Sequence, residues 1–157
     1  GMPSNGSGPI ETMEPGKAKL EREGTDLAIL ALGSMVEHAL AAAATLQQEG
    51  ISAMVINVRF AKPLDRDLFR QVAERIGYLV TVEENVLAGG FGTRVAEFLE
   101  RENLQSVRLL RIGVPDEFIK YGSRAVLMEK LALTSPGIVE KIKAAFPVEG
   151  RVASFDS

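Results

Sequence analysis

Residues 26–40 read DLAILALGSMVEHAL, and this stretch decides the fold class. The run DLAILAL is apolar, too short for a helix, and typical of a strand that is buried on both faces of a sheet. Immediately after it, Met35, Ala39 and Leu40 begin an apolar stripe with the 3.6-residue period of a helix. A buried strand that passes directly into an amphipathic helix is the repeating unit of a parallel α/β sheet.

The same alternation recurs along the chain. Further strands are predicted as three buried runs and one polar edge strand, at residues 53–58, 78–82, 107–112 and 17–23 respectively. Helical spacing fills the intervals, and two more helices are predicted after the last strand, near residues 126–131 and 138–146. Because crossovers between parallel strands are right-handed, helices cover both faces of such a sheet. The sequence therefore predicts an α/β protein, a three-layer α/β/α sandwich around a mostly parallel five-stranded sheet.

One domain accounts for most of the 157 residues. Residues 1–16, GMPSNGSGPIETMEPG, are rich in Gly, Pro and Ser and predict a linker. Gly1 before Met2 looks like the remnant of a cleaved expression tag. We predict the folded domain at residues 17–147 and a tail of weak pattern at residues 148–157.

Composition narrows the classes of function. The chain has no cysteine, a formal charge of −3, and basic residues interspersed with acidic ones. Disulfides and thiolate metal sites are therefore excluded. No basic face is predicted that would bind nucleic acid or a membrane surface. The sequence shows no secretory leader, so a cytoplasmic location is the expectation.

The first candidate site is the junction of Gly33 and Ser34. It joins a strand to a helix N-terminus, where free amides and the helix dipole can hold an anion. The structural alternative is a capping box, since residues 34–37 read S-x-x-E. Asp65 and the Ser135-Pro136 pair predict two other helix starts, with Ser135 as the N-cap residue.

The second candidate is residues 81–92, TVEENVLAGGFG. Adjacent carboxylates on a strand point to opposite faces, so Glu83 and Glu84 cannot share a proton as a catalytic dyad does. The glycines do not spell the dinucleotide fingerprint G-x-G-x-x-G; Gly89 and Gly90 instead predict positive φ and close backbone approach. The alternatives are a structural loop and a binding or interface role, whose candidate residues are Glu83, Glu84, Asn85, Gly89, Gly90 and Phe91.

The remaining polar residues form no recognisable catalytic or metal site. His38, the one histidine, borders the apolar stripe of the first helix without a second metal ligand, which favours a packed or solvated side chain. Arg59 and Arg111 each lie at or after the end of a predicted strand. Each could bind an anion or be an ordinary surface arginine. Residues 116–123, DEFIKYGS, predict a docking loop or core aromatics.

Three loops resemble those of a known family. Residues 57–65 (NVRFAKPLD), 80–92 (VTVEENVLAGGFG) and 111–123 (RIGVPDEFIKYGS) are similar, in order and spacing, to the carboxy-terminal domain of the 1-deoxy-D-xylulose-5-phosphate synthases. That group lies within the wider transketolase C-terminal domain family, which also includes domains of 2-oxo acid dehydrogenase β subunits. The resemblance covers roughly residues 16–146.

The resemblance also implies a strand order. The strand at 17–23 would run antiparallel beside the strand at 53–58, with the strand at 26–32 next and the strand at 78–82 beyond it. The two candidate sites would then flank the point where the strand order reverses, which is where open α/β sheets bind ligands. We hypothesise either an anion site there, vestigial or regulatory, or a surface that packs on upstream domains or a second subunit.

The activity that the resemblance implies is that of an intact multidomain enzyme. Such an enzyme joins pyruvate to glyceraldehyde 3-phosphate with release of carbon dioxide, for isoprenoid precursors, using thiamine diphosphate and magnesium. The family's Gly-Asp-Gly cofactor motif and catalytic glutamate lie in upstream domains, and no Gly-Asp-Gly occurs in this sequence. We therefore expect no catalytic residue and no bound cofactor in this chain, with upstream domains and a second copy, in a homodimer, as its partners.

Two alternatives stay open. The chain could be a partner-docking module, as at the end of a transketolase or of a 2-oxo acid dehydrogenase β subunit that binds a carrier protein. It could also be a free-standing α/β module that binds an anion, although the phosphate fingerprint is missing.

Overall fold

The computed structural model describes residues 16–60, 62–86, 90–114 and 133–146. The predicted linker up to residue 15, the docking loop at 116–123, the helix near 126–131 and the tail lie outside these ranges. In chain order the elements are β1 Lys19–Arg22, β2 Leu27–Ala31, α1 Met35–Gln48, β3 Ala53–Asn57, α2 Arg66–Ile76, β4 Tyr78–Val86, α3 Phe91–Arg101, β5 Arg108–Val114 and α4 Ser135–Ala145.

The sheet has the order β1-β3-β2-β4-β5. Strand β1 is antiparallel to β3, whereas the β3-β2, β2-β4 and β4-β5 pairs are parallel. The register places Ile29 beside both Val55 and Val80, so the central strand β2 is flanked on both sides by apolar neighbours. The predicted fold, including the implied antiparallel edge strand, is confirmed.

The two faces of the sheet carry separate apolar cores. Alternate residues of each strand point to opposite faces, so Ile29 packs with α1 and α4 while Leu30 packs with α2 and α3. On the second face, Phe69 makes edge-to-face contacts with Phe91 and Phe98 at centroid separations of 6.4 and 6.5 Å. Each fully buried side chain of this size contributes about 1.5–3 kcal/mol through burial. These cores hold the helices in the two outer layers.

Strand β4 is longer than predicted. It continues past Val82 to Val86, where Val86 pairs with Val114 of β5 after a shift in register. The adjacent carboxylates Glu83 and Glu84 therefore lie within the strand. The strand was predicted to end at Val82 because the apolar run ends there. Its polar continuation is stabilised by pairing with β5, and the spacing of apolar residues does not reveal such a pairing.

Two predicted helix caps are wrong. Ser34 has right-handed helical angles (φ −67°, ψ −11°) and makes no side-chain cap hydrogen bond, so the capping box does not form. The amides of Met35 and Val36 donate instead to the carbonyl oxygens of Leu32 and Gly33, both at 3.3 Å. An N-cap side chain reaches the first-turn amides from extended backbone, which Ser34 does not have.

Helix α4 begins one residue earlier than predicted. Ser135 is its first helical residue, and the N-cap position belongs to Thr134, whose backbone is extended (φ −105°, ψ 166°). Pro136 lies in the first turn, as expected for a residue without an amide hydrogen.

Asp65 is the N-cap that was predicted. Its Oδ1 accepts a hydrogen bond from the Leu68 amide at 3.3 Å, and its Oδ2 accepts one from the Ala18 amide at 2.9 Å. One carboxylate thus caps α2 and ties the residue before β1 to it. At the other end, α2 terminates at Gly77, whose φ of 85° favours glycine.

Replacing Asp65 with alanine should lower the free energy of unfolding by about 1–2 kcal/mol, because a cap and a long-range hydrogen bond are both lost. Urea unfolding of the variant and the parent chain measures the difference. Asp67→Ala is the matched control, since Asp67 is exposed in the same helical turn. An equal loss in both variants would contradict the assigned role of Asp65.

Ion pairs tie α3 to α2. Glu102, which follows α3, accepts hydrogen bonds from Arg66 at 2.6 Å and from Arg70. Its side chain is 14% exposed. Hydrogen bonds from Arg66 and then from Arg70 hold the pKa of the Glu102 carboxyl below its usual value of 4.5.

The two ion pairs of Glu102 predict that the stability of the fold depends on pH. Because the pKa of Glu102 is lowered by folding, its contribution to stability is complete above pH 4.5 and is lost as the pH falls through the lowered pKa. Glu102→Gln should therefore be less stable than the parent chain near neutral pH, and the difference should shrink in acid. Urea unfolding across the acid range, with exposed Glu100→Gln as the control, measures this; a difference that does not change with pH would contradict it.

Within the described part of the chain, none of the helices combines the length and the apolar character needed to cross a membrane.

Candidate functional site

The two candidate stretches meet at the carboxyl edge of the sheet. Strands β2 and β4 are neighbours, and the Leu32 amide donates to the Val82 carbonyl oxygen at 3.1 Å. Gly33 (φ 66°) and Ser34 therefore follow β2 beside the part of β4 that carries Glu83. The chain turns to opposite sides of the sheet after these two strands, so this is the reversal point of the strand order.

Glu83 is the centre of this edge. Its side chain is completely buried, on the face that packs against α2 and α3. Oε1 accepts a hydrogen bond from the Phe91 amide at 2.8 Å, and Oε2 accepts one from the Gly92 amide at 2.6 Å. These are first-turn amides of α3, which have no partner inside the helix. The carboxylate therefore serves as the cap of α3 from a neighbouring strand, and its negative charge complements the helix dipole.

Gly92 permits this close approach. A Cβ at this position would lie 2.8 Å from Thr81 Oγ1, 3.1 Å from Arg111 Cδ and 3.2 Å from Glu83 Oε2. The Thr81 hydroxyl is itself buried and has no hydrogen-bond partner among the residues that the structure describes. Above it, Arg111 Nη1 donates to Thr93 Oγ1 at 3.1 Å. The first turn of α3 is thus packed directly onto β4 and β5.

The other candidates of this loop have different positions. Glu84 is half-buried and, as its neighbour in the strand, points to the opposite face from Glu83. Phe91 is 1% exposed and belongs to the core. The positive φ predicted for Gly90 is wrong: it is the N-cap residue of α3 with extended backbone (φ −85°, ψ −169°). Gly89 and the side chain of Asn85 lie outside the described residues.

The capping role of Glu83 is the feature that sequence reasoning missed. An N-cap is normally sought at or next to the first helical residue, whereas Glu83 acts across eight and nine residues. The one signal in the sequence was a carboxylate on a strand followed by a helix whose N-cap, Gly90, has no side chain. Both Glu83 oxygens are occupied by amides, so this arrangement stabilises the fold and leaves neither oxygen placed to act as a base.

A model of the family described as "Transketolase, C-terminal domain" matches residues 16–138. The chain belongs to the transketolase C-terminal domain family. The three resembling loops lie within the matched residues, and the resemblance is thereby confirmed.

Members of this family with curated names include two close relatives. The chain is 47% identical over 128 residues to 1-deoxy-D-xylulose-5-phosphate synthase 1 of Geobacter metallireducens, covering 82% of this chain and 20% of that protein. It is 48% identical over 136 residues to the 1-deoxy-D-xylulose-5-phosphate synthase of a Synechococcus strain, covering 87% of this chain and 21% of the relative. The chain therefore spans about a fifth of the length of these relatives.

A solved structure from the transketolase family shares the fold. It is described as "Split gene transketolase, inactive beta4 tetramer" and superposes with a TM-score of 0.79 at 38% sequence identity. The match covers 87% of this chain and 44% of the solved chain.

Magnesium and thiamine diphosphate, which the synthase relatives imply, do not fit the described residues. Among them, no three His, Asp or Glu side chains lie close enough to hold a metal ion. Glu83, the carboxylate at the centre of the edge, already accepts two amide hydrogen bonds. The part of this transketolase C-terminal domain that the structure describes offers no built site for a magnesium diphosphate group.

The remaining predicted residues are dispersed. His38 is half-buried on α1. Arg59 follows β3 with φ of 66°, and its amide donates to Asn57 Oδ1 at 3.1 Å. Arg111 lies in β5 and contacts Thr93 of α3. The structure therefore assembles Gly33, Ser34 and Glu83 at one edge. It places Arg111 beside them, against the first turn of α3, and leaves His38 and Arg59 on other elements.

Proposed function

We propose that this chain is the C-terminal structural and dimerisation domain of a thiamine-diphosphate-dependent 1-deoxy-D-xylulose-5-phosphate synthase. The enzyme would convert pyruvate and glyceraldehyde 3-phosphate to 1-deoxyxylulose 5-phosphate and carbon dioxide, for isoprenoid precursor synthesis in the cytoplasm. In this proposal, upstream domains supply the cofactor, magnesium and catalytic groups. The domain presents its carboxyl edge to those domains or to a second copy.

The structural role of Glu83 is the main support for this proposal. It is the buried carboxylate at the sheet edge where α/β proteins place their chemistry, and both of its oxygens hold α3 in place. A buried carboxylate whose two oxygens both accept hydrogen bonds from main-chain amides supports a structural role rather than a catalytic one. It also weighs against an anion at the α3 N-terminus, because that position already carries a negative charge.

The exposed part of the same edge supports a packing role. Gly33 and Ser34 are exposed next to the half-buried Glu84, whereas the strands on which they depend are buried. A turn with φ of 66° at Gly33 leaves main chain without a covering side chain, which allows another surface to approach closely. We propose that Gly33, Ser34, Glu84, Asn85, Gly89 and Gly90 contribute to the contact with the neighbouring domains.

The relatives support the proposal that the catalytic groups lie in other domains of the enzyme. Since the chain spans about a fifth of the synthase relatives, most of such an enzyme lies in other domains. The split gene transketolase is described as inactive in its beta4 form, which supports the proposal that a chain of this fold is inactive alone.

Calorimetry and a turnover assay test the proposal on the chain alone. We expect no heat of binding when thiamine diphosphate and magnesium are titrated into the chain. We also expect no formation of 1-deoxyxylulose 5-phosphate from pyruvate and glyceraldehyde 3-phosphate. Saturable thiamine diphosphate binding, or turnover by the chain alone, would overturn the proposal that the catalytic groups lie elsewhere.

A further inference from the structure

A groove whose lining includes four basic side chains lies between α3 and the start of α2. Its volume is about 320 Å³, and its charged lining consists of Lys62, Arg66, Arg94, Arg101 and Glu97. Phe98 forms an aromatic wall, with the Arg66 guanidinium 5.9 Å from its ring centroid. This size lies at the lower end of the range for small-molecule sites. We call this feature the cationic groove.

Within the described ranges, most of the basic side chains of the cationic groove have no acidic partner. Arg66 is paired with Glu102. Lys62, Arg94 and Arg101 make no salt bridge or side-chain hydrogen bond with any other described residue. Glu97 is the single acidic side chain of the lining, so the basic groups outnumber the acidic ones even when Glu102 is counted. This excess stands out in a chain whose formal charge is −3.

The basic groups of the cationic groove come from two elements. Arg94 and Arg101 are seven residues apart on α3, so they project from the same side of the helix two turns apart. Lys62 lies in the segment before α2, and Arg66 is the first residue of that helix. Basic side chains that line one groove from two elements can bind more of the oxygens of a phosphorylated anion than of a carboxylate, and guanidinium groups bind phosphate in a bidentate manner.

We propose that the cationic groove is a binding site for a small phosphorylated anion. The site is separate from the sheet edge around Glu83, and the inference does not depend on the proposed function. Lys62, Arg94 and Arg101 bind the phosphate oxygens, Arg66 adds positive charge while it remains paired with Glu102, and Phe98 contacts the body of the ligand. Because an anion would offset the repulsion among these cations, its binding should also stabilise the folded chain.

Isothermal titration of the 157-residue chain with inorganic phosphate and with pyrophosphate tests the site, with sodium chloride at matched ionic strength as the blank. We expect saturable binding of one anion per chain, tighter for pyrophosphate, and a rise in the thermal unfolding midpoint. Arg94→Gln and Arg101→Gln should each weaken pyrophosphate binding by about tenfold, since each removes a charge-assisted hydrogen bond. Arg101 is exposed and Arg94 is half-buried, and circular dichroism verifies that the variants fold.

Lys141→Gln is the matched control, because it removes one exposed positive charge from α4 on the opposite face of the sheet. It should leave the affinity for pyrophosphate unchanged. Equal weakening by all three substitutions would show a nonspecific charge effect and would overturn the site. Absence of saturable binding, or binding of a single-stranded oligonucleotide without binding of pyrophosphate, would also overturn it.

Discussion

Replacing Glu83 with alanine is expected to lower the free energy of unfolding by about 3–5 kcal/mol, because both of its hydrogen bonds to buried amides are removed. The carboxylate accepts hydrogen bonds from the Phe91 and Gly92 amides in a fully buried position. Hydrogen bonds to a charged group are worth about 1.5–3 kcal/mol each. Alanine leaves the two amides without an acceptor.

Glutamine at position 83 separates the effect of losing the negative charge from the effect of losing the side chain. Glu83→Gln keeps the length of the side chain and one carbonyl oxygen, but its NH₂ group then faces an amide donor. We expect about half of the loss seen with alanine. Chemical denaturation measures both variants, and hydrogen exchange of the Phe91 and Gly92 amides reports whether α3 opens locally.

The control for this series is Glu74→Gln, which neutralises an exposed carboxylate on α2. It should change stability by less than about 0.5 kcal/mol. If Glu83→Ala were no more destabilising than Glu74→Gln, the buried cap would not be holding α3 in place.

Replacing Gly92 with alanine is expected to lower the free energy of unfolding by about 2–3 kcal/mol through overpacking. The added Cβ would lie 2.8 Å from Thr81 Oγ1 and 3.2 Å from Glu83 Oε2. Neither neighbour can move easily, because the Thr81 side chain is short and buried, and Glu83 is held by two amides. The first turn of α3 would have to move away from β4.

A double-mutant cycle isolates the steric cause. Thr81→Ala removes the hydroxyl oxygen that is closest to the added Cβ, and that oxygen has no hydrogen-bond partner among the described residues. Combined with Gly92→Ala, it should recover a substantial part of the lost stability. Strictly additive effects of the two substitutions in urea unfolding would contradict the assigned contact.

Much of the fold could be predicted from local patterns. The stretch at residues 26–40 indicated β2 and α1 because both its short apolar run and its 3.6-residue stripe are properties of neighbouring residues. Asp65 was predictable as a cap for the same reason, since it contacts an amide three residues away. The antiparallel orientation of β1 was predicted from the family resemblance, because the residue pattern of a short polar strand does not indicate its direction in the sheet.

The features that were missed depend on tertiary contacts or on exact dihedral angles. The S-x-x-E pattern at Ser34 predicted a cap, yet the tight turn at Gly33 places Ser34 in helical backbone. Glu83 acts on amides that only the packing of α3 against β4 brings near it. The extension of β4 to Val86 likewise depends on β5. Pairing partners of this kind are far apart in the chain, so no periodicity encodes them.

A chimaera tests the proposed role of the domain most directly. The corresponding domain of the Geobacter metallireducens synthase, to which this chain is 47% identical, would be replaced by this chain. The rate at which the chimaera converts pyruvate and glyceraldehyde 3-phosphate would then be measured. We predict turnover within about tenfold of the parent synthase, and its loss when the inserted domain carries Glu83→Ala. A folded chimaera without turnover would contradict the proposal that this chain is the C-terminal domain of such a synthase.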